Sequence, residues 1–156
     1  MEWLAPLAET PLARALITSS TLYLLVNAAH ILGIGVLFGA ILALDLRLMG
    51  FAPAVPLAAI APYLSRIAAA GVVVAILTGM CLFSVRPTEY ARNSAFLAKL
   101  GLVALALVNV AVVHFGSGWR AVLSGEGPST AVRVGATLSI LFWIGALIAG
   151  RWIGFL

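Results

Sequence analysis

Charge is what this sequence most lacks. Charged side chains make up 9% of its 156 residues, nine basic and five acidic, where a soluble domain carries roughly 25%. So few cannot coat a water-facing surface of this size. Cysteine is nearly missing too. The single Cys81, inside an apolar run, excludes an intrachain disulfide and a multi-cysteine zinc site within one chain. The apolar runs lack period-two alternation, which argues against a β-barrel. There is no catalytic triad, Walker loop or zinc-protease motif, and Gly33-Ile34-Gly35 lies inside a long apolar run, so it is not a nucleotide fingerprint. Glu2 and Glu9 precede the first apolar run and no basic cluster accompanies them, so no cleavable signal peptide is expected.

What the chain has in quantity is apolar length. Hydrophobic residues make up 63% of it, and about 20 in a row suffice to cross hydrocarbon as a helix. Four stretches qualify, at about 21–44, 67–85, 95–115 and 134–153. The expectation is an all-α integral membrane protein: one domain, 1–156, forming an antiparallel four-transmembrane-helix bundle with a short N-terminal interfacial helix. That helix falls within residues 2–17, interrupted by Pro6 and Pro11, with Trp3 as its anchor. The connections are short, which favours up-down-up-down order. Pro53, Pro56 and Pro62 predict that 50–62 is not a continuous helix. The second connection is 86–93. The third, 116–130, is rich in glycine, and Ser129 is placed to cap the fourth helix. Basic residues divide four against five between the two sides, Arg47, Arg66, Arg120 and Arg133 against Arg14, Arg86, Arg92, Lys99 and Arg151, so charge does not orient the chain. They stand singly at helix ends, beside lipid head groups, and the net charge of +4 does not point to nucleic acid. Gly35 with Gly39, Gly71 with Ala75 and Gly79, and Gly145 with Ala149 mark helix contacts or a homo-oligomer face.

Polar groups within the apolar runs are the functional clues, since they are costly there and face the bundle interior. At 100° per residue Tyr23, Asn27, His30 and Asp45 share one face of the first helix with Gly33, Ile34, Leu37 and Ile41. His30 lies about 14 Å along its span and Lys99 about 6 Å along the third, which runs the same way. His114 lies about 15 Å deeper than His30, too far for both to bind one haem iron within a chain. His30 with Lys99 is the pair within reach, and a neutral amine is a competent ligand. Met80 is a further possible axial partner. Asp45 is expected to pair with Arg66 or Arg133, or else to relay protons or ions, and His114 to cap its helix end.

The stretch from Leu22 to Gly50, with His30, Gly33, Gly39 and Asp45-Leu46-Arg47-Leu48-Met49-Gly50, resembles an uncharacterised family of small bacterial membrane proteins. Phe83-Ser84-Val85-Arg86 through Tyr90, Asn93, Phe96 and Lys99 continues that resemblance. More remotely, the pattern is similar to the four-helix, haem-binding protoporphyrinogen oxidase family and to the copper-resistance D membrane domain. In the oxidase family a first-span histidine and a lysine opening a later span are implicated, which by position correspond to His30 and Lys99. The aromatic-rich motif that follows that family's histidine is replaced here by Gly-Ala-Ile-Leu-Ala-Leu-Asp-Leu-Arg-Leu.

What the resemblance implies is haem b in a multi-pass protein of the bacterial inner (cytoplasmic) membrane. His30 and Lys99 would bind the metal, Asn27 would lie beside them, and Arg86 and Arg92 would meet the propionates. Electron transfer would then require a redox partner protein or a quinone. Two other expectations stand beside this one. The chain is a cofactor-free structural subunit of a larger membrane complex, or it carries protons or metal ions through Asn27, His30 and Asp45.

Overall fold

The structure is a computed structural model, and it describes residues 2–155. The described chain is helical throughout. A 3-10 helix, Glu2–Glu9, leads into α1 (Pro11–Thr18) and then α2 (Ser20–Leu48). After the first connection come α3 (Leu57–Val85), the short α4 (Pro87–Arg92) and α5 (Ser94–Phe115). A surface helix, α6 (Ser117–Ser124), precedes α7 (Thr130–Trp152), which ends in a 3-10 turn. Four helices, α2, α3, α5 and α7, are long and apolar enough to cross a membrane.

Three boundaries differ from the sequence reading. The region before α1 is not one helix: Thr10 accepts a hydrogen bond from Ala13 N and starts α1 afresh after the 3-10 segment. Its residues also do more than lie on a surface, since Leu4, Ala13 and Leu16 are buried, while Trp3 is exposed. The break expected through Pro62 ends earlier. Pro56 is the N-cap of α3, and Pro62 lies inside the helix. Pro62 forfeits one helix hydrogen bond, but Leu57 and Ala61 in the turn before it sit in the core beside Leu44, Leu48, Trp119 and Val132. That packing outweighs the lost bond. The connections 86–93 and 116–130 each hold a helical turn or two rather than open loop.

The end of α2 shows why its boundary is sharp. Gly50 has φ +107°, which disfavours any residue with a Cβ. Its N–H reaches Arg47 O and the N–H of Phe51 reaches Leu46 O, closing the helix with both bonds of a Schellman motif. The Arg47 guanidinium then donates to Pro53 O and Val55 O and pins the connection down. At the other termini Asn93 caps α5 and Ser129 caps α7, each accepting from a backbone N–H three residues on.

The long helices associate as two pairs, α2 on α3 and α5 on α7, joined through α2 and α7. Glycine sets the first pair. A Cβ on Gly71 would lie 2.6 Å from Leu37 N and 2.9 Å from Gly33 O, and one on Gly33 would lie 2.9 Å from Ala75 N. Further along, Gly79 faces the His30 ring. The second pair meets at Gly145 against Leu102, at Asn109 against Gly135, and at Lys99 against Gly150. Gly35 and Gly39 behave differently from the sequence reading: a Cβ on either meets nothing within 4 Å, so they are not contacts within the chain.

Burial is lopsided. One cluster gathers Leu44, Leu48, Ala61, Trp119, Val122 and Ala136, and a second gathers Leu37, Ile41, Ala68, Ala106 and Trp143. Residues 20–32 of α2 and 72–85 of α3 contribute no buried residue. Among the described residues no Cα of α5 comes within 8 Å of a Cα in α2 or α3. The two pairs interlock toward the C-terminal end of α2, while at its other end α1 and the 3-10 helix pack on α3 and α4, burying Leu4, Ala13 and Leu16.

Gly71→Leu is expected to cost about 1–3 kcal/mol by overpacking, read as a lower melting temperature of the detergent-purified protein. Gly35→Leu is expected to change stability by no more than about 0.5 kcal/mol. Equal losses in the two variants would contradict the contact assignment.

Candidate functional site

The end of the bundle where α2 begins carries His30. Its Nδ1 lies 3.0 Å from Thr78 Oγ1 on α3, and Thr78 Oγ1 lies 2.6 Å from Val74 O. A threonine hydroxyl has one proton. The carbonyl can only accept, so the hydroxyl proton goes to Val74 O and His30 Nδ1 must donate to Thr78. In the neutral ring this leaves Nε2 with its lone pair uncommitted, the arrangement by which a hydrogen bond at one nitrogen selects the other as a ligand. The ring lies against Gly79, where a Cβ would come within 3.1 Å of Cε1. Threonine and glycine at adjacent positions of α3 therefore orient the imidazole, one by bonding and one by making room.

Lys99 of α5 belongs to the same end, since α4 joins the end of α3 to the start of α5. Its stem lies along Gly150 of α7. The structure thus places the expected pair at one end of the bundle, on opposite helix pairs. The other expected members divide. Asn27 is exposed, and no hydrogen bond of its side chain occurs among the described residues, so it does not face the interior with His30. The reason is local: α2 has no buried face before Gly33. Arg86 pairs with Glu89 at 3.3 Å in the open, and Arg92 is exposed on α4. Met80 is 56% exposed and turns away from the interior. Close by, Phe83, Tyr90 and Phe96 form an aromatic cluster with ring centroids 5.4–6.2 Å apart. Burial, followed by the neighbouring Tyr23, pushes the Tyr90 phenol above its usual range against a smaller opposing effect of Arg86.

The second histidine is elsewhere. His114, in the last turn of α5, donates from Nδ1 to Val110 O at 3.0 Å, and its Nε2 lies 3.2 Å from Ser65 Oγ of α3. Its ring lies tilted against Trp119, 4.1 Å between centroids. Thr78 and Ser65, the α3 partners of the two histidines, are thirteen residues apart, about 20 Å along the helix. His30 and His114 are separate sites.

Asp45 lines a small cavity of about 20 Å³ with Asn109, His114 and Ser139. The pairing expected with Arg66 or Arg133 is not formed: both arginines are exposed, and the salt bridge found among the described residues is Arg86–Glu89. Helix phase explains this, because the inward faces of α3 and α7 at that level are given to Ala61, Ala68, Val132 and Ala136. Thr78, Ser65, Asn109 and Ser139 were not singled out by sequence. Their signal was a polar side chain within an apolar run, a weak one because serine and threonine can satisfy themselves on their own helix.

Among the described residues no three His, Cys, Asp or Glu side chains converge. Comparison with family models, curated proteins and solved structures finds no match.

Nitrogen-15 spectra of histidine-labelled protein, taken where both rings are neutral, are expected to show His30 protonated at Nδ1. Thr78→Val is expected to scramble that tautomer and to cost about 1 kcal/mol of stability. A His30 signal protonated at Nε2 in the unaltered protein would refute the assignment.

Proposed function

We propose that the chain is a multi-pass membrane protein whose four long helices cross the bilayer in antiparallel order. It would bind haem b at His30 and handle electrons in the bacterial cytoplasmic membrane. Mean hydropathy of 1.9–2.3 in the four helices supports the membrane reading. The order is supported by contact register. Leu37 and Gly33 meet Gly71, Gly33 meets Ala75 and His30 meets Gly79, so numbering falls along α3 as it rises along α2; Leu102 and Lys99 meet Gly145 and Gly150 in the same sense.

The observation that carries the haem reading is the oriented His30 ring. Its Nδ1 is committed to Thr78 and its Nε2 is free, at the end of the bundle where α2 and α3 bury nothing. The donor set fits a porphyrin better than a bare metal ion. No three ligating side chains converge among the described residues, whereas a porphyrin brings four nitrogens and asks the protein for one or two axial ligands. His30 is the first of these. Lys99 is the second ligand or a group beside it, and Arg86 and Arg92 at the helix ends supply guanidinium groups for propionates. Bound there, haem would supply one-electron chemistry; the chain's part is ligation, burial and hydrogen bonding to the ligand. A redox partner protein or a quinone would complete the exchange. The exposed Gly35 and Gly39 offer a close-packing face for a second copy.

The test is an absorption spectrum of protein purified from a haem-replete host in mild detergent, oxidised and then reduced with dithionite. A Soret band with a sharpened reduced α-band is expected, lost in His30→Ala and kept in His114→Ala. A flat spectrum with negligible iron would overturn haem binding and leave the structural-subunit and ion-pathway readings.

A further inference from the structure

The packed end of the bundle buries a carboxyl that nothing neutralises. Asp45, three residues before the end of α2, is 5% exposed, and its Oδ2 has no hydrogen-bond partner. Ser139 of α7 lies beside it, 3% exposed, yet Ser139 Oγ also completes no hydrogen bond of good geometry. The two line the 20 Å³ cavity with Asn109 and His114 of α5, and a space of that size holds one water.

Every element packed around Asp45 turns its charges elsewhere. Arg47 of α2 is committed to the carbonyls of Pro53 and Val55. Arg66 of α3, Arg120 of α6 and Arg133 of α7 are exposed. From α5, His114 faces the cavity's rim with Nδ1 on Val110 O and Nε2 on Ser65 Oγ. A carboxylate withdrawn from water with no counter-ion takes a proton instead of keeping its charge. A metal ion is the poorer occupant, because hard cations ask for about six oxygens or more and two here lack partners. A third unpartnered atom, Trp143 Nε1, lies one turn beyond Ser139 on the same face of α7.

We propose that Asp45 and its cavity form a buried proton-binding site, with one water joining the Asp45 carboxyl to Ser139 Oγ. Uptake is the transfer of a proton from hydronium in the cavity to Asp45 Oδ2. One O–H bond forms, one breaks, and a water remains; release is the reverse. The end of α2 lies about 4.5 Å away along the helix. The site stands independently of haem at His30, which lies toward the other end of α2.

Asp45 is the chain's sole aspartate, so carboxyl-labelled carbon-13 aspartate reports it alone. The experiment is isotope-edited infrared spectroscopy of the full-length protein in lipid vesicles at pH 7, in sodium and in sodium-free buffer. The expected result is the C=O stretch of a carboxylic acid, one per chain, shifting in D2O and displaced in frequency by Ser139→Ala. A carboxylate pair of bands at pH 7 would overturn the proposal. So would an acid band that appears only without sodium, which would make the occupant a metal cation. An acid band indifferent to both D2O and Ser139→Ala would also overturn it, because the water link would be missing.

Discussion

The close approach of α2 and α3 at Gly33 and Gly71 is the contact on which the rest of the molecule depends. Helix association in hydrocarbon gains nothing from expelling water, so it relies on backbones coming close enough for dispersion contacts to accumulate. Here the backbone of one helix fills the space a Cβ would take on the other. That contact fixes the register of the pair. Three residues before Gly33, it brings His30 to Thr78 and Gly79; four residues after, it delivers Leu37 to the core with Ile41 and Ala68. A widened pair would lose the imidazole's hydrogen bond and the core contact together.

From this register follow two polar centres at opposite ends. One has an imidazole, a lysine and aromatic rings, beside stretches of α2 and α3 that bury no residue of their own. The other has a carboxyl, two hydroxyls, an amide and an imidazole enclosed by packed side chains. Between them stand Leu37, Ile41, Ala106 and Trp143, an apolar layer with one unpaired indole N–H. The ends therefore suit different chemistry: the first presents an imidazole oriented by Thr78, the second a buried carboxyl beside a space for one water.

Much of the architecture was legible in the sequence, because apolar length needs no tertiary information. Leu57–Val85 shows the limit of that reading. Proline rules stopped the helix at Pro62, whereas burial of Leu57 and Ala61 carried it back to Pro56. Angular reasoning placed Gly33, Leu37, Ile41 and Asp45 on the buried face correctly, since helix phase is set by geometry. It failed for Asn27, because a shared face is buried only where a neighbour covers it. Asp45 lacks its expected arginine for a related reason: sequence gives the depth of Arg66 and Arg133 but not the direction in which they point. Thr78 and Ser139 went unnoticed, their roles being visible only from the partner helix.

The two helix pairs interlock with one another chiefly toward the Asp45 end, while at the His30 end α1 and the 3-10 helix brace α3 and α4 from outside. At the Asp45 end the spacing of the helix pairs is fixed by the protein's own interlocked side chains. At the His30 end α2 and α3 bury no residue between the pairs, and in the membrane setting proposed above the lateral pressure of the acyl chains would bear on their separation. Membrane thickness and tail order would thereby become variables of the His30 environment, acting on it like a clamp whose jaws are lipid and whose pivot is protein.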